Sequence, residues 1–221
     1  MRMLTLALLS GLAASPTLAQ STAAVGESER YLACLDRVAT EPEEAFEDAL
    51  TWRMHGGGWP ARHCEARALI ASGDVSGGAA MLEELAATTQ AGLPDQLRVT
   101  QSFEAGDAWL DAGFPEDARR AFDVGLDLAP EDLGLLTGRA RASAESESWS
   151  ALEADADAII TLAPYLAEGW HYRALARLNQ EDLDGAQADV QSARERAPER
   201  IDTLVLRGRI IEAMRLRENG G

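Results

Sequence analysis

The chain contains no lysine: every one of its 20 basic side chains is an arginine, set against 37 acidic ones for a formal charge of −17. That balance leaves no basic stripe to neutralise phosphates, which excludes nucleic acid as a partner class. It suits an anionic membrane surface no better, and points to a cationic or neutral partner. Histidine is almost as scarce, with His55, His63 and His171 alone. None has a patterned Ser, Cys or Asp partner, so nucleophilic catalysis has no basis and no enzyme is expected. The glycine run 56–58 is not followed by Gly-Lys-Ser/Thr, so it is a loop between helices rather than a phosphate cradle. No cofactor is expected.

A long apolar run is also missing. The first 19 residues instead give Arg2, a short apolar stretch over 3–14, and the small-ended Thr17-Leu18-Ala19 before Gln20. This is the layout of a secretory signal, interrupted by Ser10, Gly11 and Pro16 and too short to span a bilayer comfortably. Cleavage after Ala19 is expected, giving a periplasmic protein of residues 20–221 without membrane insertion. No cysteine follows the cleavage site, so no lipid anchor is expected. Removing 1–19 takes only Arg2 from the charges and leaves −18.

Cysteine occurs twice, at Cys34 and Cys64. In an oxidising compartment such a pair is most simply a disulfide. A metal site built from Cys64, His63 and His55 is the competing use. It lacks a fourth ligand and the paired spacing of zinc motifs, so no metal is expected.

What the chain does have is a period. Pro130, Pro164 and Pro198 stand 34 residues apart, and each closes a phrase with small residues at fixed offsets. One phrase holds Ala118, Phe122 and Gly125 before Pro130; another holds Ala186, Val190 and Ala193 before Pro198. Small residues let two helices cross closely, bulky ones fill the wider gaps, and proline stops the second helix. Turn signals fall between them: Gly73-Asp74, Gly113-Phe114-Pro115, the stretch 143–148 with Ser146 or Ser148 as cap, and 179–184. Glycine suits the left-handed residue closing a helix, and proline the first turn of the next.

A 34-residue helix-turn-helix period of this kind resembles the tetratricopeptide-repeat family. The resemblance implies an all-α, right-handed solenoid of stacked hairpins at roughly 27–58, 59–92, 95–132, 133–166 and 167–200. A capping helix over 201–217 follows, with Arg207, Arg209, Arg215 and Arg217 as its polar outer face. The chain departs from the family where the late aromatic of the first helix, Trp109 in one unit, becomes Ser143 and Arg177 in others. Carrying the family's concave positions across places Arg67, Phe103, Asp107, Leu110, Arg141, His171, Leu175 and Arg209 in a groove, extended by Arg30, Arg37, His63, Asp111 and Leu178. The Lys/Asn/Arg clamp that some members close on a C-terminal carboxylate is not reproduced, since lysine is absent. Arginines in such a groove can still grip an acidic or C-terminal peptide by paired hydrogen bonds, or be matched by neighbouring carboxylates. The implied function is non-enzymatic: holding a protein or peptide partner in the groove. The alternative is a small-molecule-binding accessory protein of an envelope transporter, which an enclosed apolar pocket would favour over an open groove.

Overall fold

Short turns cut this chain into helices that bury one stripe each, and the turns repeat. The computed structural model describes residues 16–88 and 93–220, with side chains over 26–88 and 93–219. The apolar start of the expected signal and the end of the second expected hairpin, 89–92, lie outside them. Among the described residues there are eleven helices and no strand: α1 (Pro16–Val38), α2 (Pro42–Met54), α3 (Gly58–Ala71), α4 (Val75–Ala87), α5 (Asp95–Asp111), α6 (Pro115–Leu126), α7 (Leu133–Glu145), α8 (Trp149–Leu162), α9 (Ala167–Asn179), α10 (Leu183–Arg196) and α11 (Ile201–Gly220).

Each helix packs on the next in sequence, and first helices also touch across units, as α5 does α7, α7 does α9 and α9 does α11. That is a solenoid. Its turns are local chemistry. Gly73 and Gly113 close α3 and α5 at φ +98 and +81, a region costly for any residue with a Cβ. Asp74, Asp132 and Asp182 then cap the next helices by accepting from Gly77, Leu135 and Gly185 amides. Ser148 occupies the capping position of α8, but its side chain accepts from no amide of that helix. The preceding residue, Glu147, takes the left-handed conformation instead, at φ 56.

Apolar packing repeats with the turns. Phe122 fills the largest cluster, with Leu135, Leu136, Ala140, Leu152 and Ile159 around it. Val190 with Ala174, Ala186, Leu206 and Ile210 closes the C-terminal end. At the N-terminal end Cys34 and Cys64 form a disulfide between α1 and α3, with Cα atoms 6.3 Å apart. Val38, Ala45, Ala49 and Ala68 pack around it. Cys64 is therefore not available as a metal ligand.

Further features mark α9 and α11. Trp170 is not a core residue: it is half-exposed, donates to the Pro164 carbonyl at 3.0 Å, and is flanked by the guanidinium groups of Arg173 and Arg196. The outer face of α11 is not simply polar, because Ile201, Leu204, Val205, Ile211 and Leu216 are exposed among its arginines. The helix also extends past the expected end, to Gly220.

Candidate functional site

First helices stacked side by side leave a trough along their shared face. One part of it, about 340 Å³, is lined by Arg67, Ile70, Leu82, Phe103, Glu104, Asp107, Ala108 and Asp111. The next, about 450 Å³, is lined by Phe103, Asp107, Leu133, Gly134, Thr137, Gly138, Arg141 and Tyr172. They share Phe103 and Asp107, so the trough runs unbroken from α3 to α9. Phe103 is 37% exposed, and its ring leans edge-on against buried Phe122 at 6.0 Å. A hydrophobic side chain held half out of the core is a fixed surface for a ligand, because little side-chain freedom remains to be lost on binding. Gly134 keeps the wall beside it low; a Cβ there would stand 3.5 Å from the Phe103 ring.

The charges of the trough are mostly matched to one another. Arg141 lies 3.9 Å from Asp107, 3.7 Å from Asp111 and 3.2 Å from Glu145. Burial raises the Asp107 carboxyl above its ordinary pKa, Arg141 works against that rise, and neighbouring Asp111 adds to it. At the α3 end Arg67 meets Glu104 at 3.3 Å. Glu104 also pairs with His63 Nε2 at 2.9 Å, and the opposite ring nitrogen, Nδ1, lies 2.7 Å from the Tyr31 hydroxyl. Burial acts to raise Glu104, but the His63 hydrogen bond and charge and then Arg67 outweigh it, leaving the carboxyl below its ordinary value. Tyr31 is pushed up to about 12, by burial first and by the Glu104 charge second.

Of the residues placed in the groove by sequence, Arg67, Phe103, Asp107 and Arg141 come together. Leu110 does not: it lies two turns after Phe103 on the same side of α5, but it is buried in the Phe122 cluster. His171 is likewise withdrawn, buried between α9 and α11 with Nδ1 3.1 Å from Thr203 Oγ1 and Nε2 3.9 Å from Asp202. It cannot join Arg141 in bridging a ligand carboxylate, and Arg141 itself is already engaged by three acids. Leu175 is half-buried between the Phe122 and Val190 clusters. Arg209 lies apart, in a shallow depression with Leu178, Gly208, Glu212 and Leu216. Glu104, Gly138 and Tyr172 were missed. They stand 34 residues apart, so following the period one column to the side of 103, 137 and 171 finds all three.

No protein-family profile matches the sequence, and neither does any curated protein. Solved structures do resemble it in fold. MamA 41-end from Desulfovibrio magneticus RS-1 gives a TM-score of 0.60 at 15% identity, covering 79% of this chain and 94% of that one. YrrB, described as a TPR protein with an unusual peptide-binding site, gives 0.61 at 13% identity, covering 75% and 83%. The first TPR of Spaghetti (RPAP3), bound to the HSP90 peptide SRMEEVD, gives 0.50 at 22% identity, covering 52% and 92%. Helix order, the 34-residue period and these likenesses agree: the chain has the fold of a tetratricopeptide-repeat protein.

Proposed function

We propose that this protein is a non-enzymatic interaction module that holds an extended peptide of a protein partner in the trough between α3 and α9. The observation that carries the reading is the continuous, open trough with Phe103 presented at its centre. An open groove rimmed by charge suits a peptide, whereas a small molecule is usually held in an enclosed, largely apolar pocket. Two proteins of like fold support it, since one is bound to a peptide and another is described by its peptide-binding site. The trough holds Glu104, Asp107 and Asp111 against Arg67 and Arg141. This surplus of acid favours a peptide with an apolar residue for Phe103 and Tyr172 and a basic residue beside it, rather than the acidic peptide that arginines alone suggest. Selection from a displayed peptide library on the purified protein tests this. Peptides pairing an aromatic or aliphatic residue with Arg or Lys should emerge, and Phe103→Ala should weaken them about tenfold, the scale of one buried aromatic anchor. Selected peptides indifferent to both Phe103→Ala and Asp107→Asn would place binding elsewhere.

The proposed setting is the periplasm, after cleavage following Ala19. The layout of residues 1–19 supports it, and so does a disulfide, which belongs in an oxidising compartment. Mass spectrometry of the protein from its native envelope fraction should find Gln20 at the terminus. An intact Met1 would overturn the proposal.

A further inference from the structure

Arginines and aspartates form a ladder through the C-terminal half. Arg139 on α7 donates to Asp155 on α8, with Nε–Oδ1 3.1 Å, and to Asp123 on α6. Arg173 on α9, one period later, donates to Asp189 on α10 at 2.9 Å and to Asp157 on α8 at 2.7 Å. In each unit the residue after the arginine is small, Ala140 and Ala174, and fully buried where the second helix crosses. The second helices answer with one pattern: an apolar residue, a carboxylate three positions on, and another apolar residue next to it. In α8 these are Leu152, Asp155 and Ala156; in α10 they are Ala186, Asp189 and Val190.

One period beyond Arg173 and Ala174 stand Arg207 and Gly208 on α11. Among the described residues Arg207 meets no carboxylate. A Cβ on Gly208 would touch nothing within 4 Å, whereas one on Gly106, two units earlier than Ala174 in the same column, would run into Phe122. On the same stripe of α11 Ile201 is 76%, Leu204 41% and Ile211 45% exposed. Their counterparts two periods earlier, Leu133, Leu136 and Ser143, lie within the packed body of the α7/α8 pair. The last helix therefore presents the face of a first helix with no described second helix laid on it.

We propose that this face is a second docking surface, separate from the trough, and that it takes an acidic amphipathic helix from another polypeptide. The helix would carry a carboxylate three residues after a small or apolar one, which is what Arg207 and Gly208 require. Charge separates this occupant from a second copy of the chain. Two α11 helices crossing at Gly208 would bring Arg207 against its own counterpart, and the helices that carry the matching carboxylates, α8 and α10, already bury them.

A synthetic peptide copying residues 182–198, labelled with a fluorophore, serves as the probe, and its anisotropy is titrated with the intact protein at low ionic strength. Saturable binding is expected. Arg207→Gln in the protein and Asp189→Asn in the peptide should each weaken it about tenfold, the low end for a charged hydrogen bond. The two together should weaken it no further, since they remove one interaction. Gly208→Leu should abolish binding while leaving the melting temperature unchanged or raised, because the site is open and the glycine lies within a helix. Absence of saturable binding, or equal binding to Gly208→Leu, overturns the proposal. Concentration-dependent dimerisation by light scattering, lost in Gly208→Leu, would assign the face to a second copy and overturn it equally.

Discussion

Phe122 is gripped from two sides by glycine, and that grip gives a prediction whose sign reverses with context. Its ring fills the space left by Gly106 on α5 and by Gly138 on α7, so it joins its own hairpin to the next. A Cβ built on Gly138 would stand 2.5 Å from Phe122 Cε1, closer than any real contact allows. Gly138→Ala within the α7 helix gains about 1 kcal/mol of helix propensity. Against this stands overpacking of a fully buried ring, about 1–3 kcal/mol, so the substitution should destabilise the protein by up to about 2 kcal/mol. Phe122→Leu alone should cost about 1–2 kcal/mol through the smaller side chain. In that background the ring is gone, and Gly138→Ala should then stabilise by about 0.5–1 kcal/mol, since only the propensity gain remains. Urea denaturation followed by circular dichroism on the four proteins of the cycle gives the coupling directly, with equal m-values confirming a common unfolding transition. If Gly138→Ala has the same effect in both backgrounds, the close approach of α7 to Phe122 is not what holds these hairpins together.

Reduction of the bridge between Cys34 and Cys64, or Cys34→Ser, should lower stability by about 3–4 kcal/mol by the chain-entropy account for a loop of this length; calorimetry with and without reductant measures it, and coincident traces would refute it. Asp189→Ala should cost about 3–5 kcal/mol, because it strips a buried carboxylate from Arg173 and Arg177. Asp157→Ala should cost under about 1 kcal/mol, its side chain being 55% exposed; equal losses would mean the ladder is merely a surface feature. Burial holds His171 below its ordinary pKa, opposed by Asp202 and Glu168 and aided by Arg200. On acidification the unfolded chain takes that proton first, so this group's contribution is whole above about pH 6.5 and is lost as the pH falls below it. His171→Gln should flatten the midpoint-against-pH curve in that window, and an unchanged slope would show that His171 titrates normally.

The sequence by itself determined the repeat. Turn residues act through their own backbone, so Gly73, Gly113, Pro115 and the capping aspartates mark helix ends wherever they occur, and small residues at a 34-residue spacing betray where helices cross. The column of Phe103, Asp107 and Arg141 was legible for the same reason, since a period fixes which face of a helix a residue lies on. Only the tertiary structure decided which of those residues remain available. Leu110 and His171 hold positions of the right face, yet neighbouring helices close over them. Arg141 faces the trough but is spoken for by Asp107, Asp111 and Glu145, two from α5 and one from its own helix. The bridge of Glu104 to His63 and Tyr31 joins three helices, and no local pattern encodes such a meeting. The open face of α11 was hidden too: its arginines look like a polar cap in one dimension, and only the packing shows Arg207 without the carboxylates that Arg139 and Arg173 have. Periodicity is a property of one helix and its neighbours in sequence, whereas burial and charge matching depend on what the stack brings alongside.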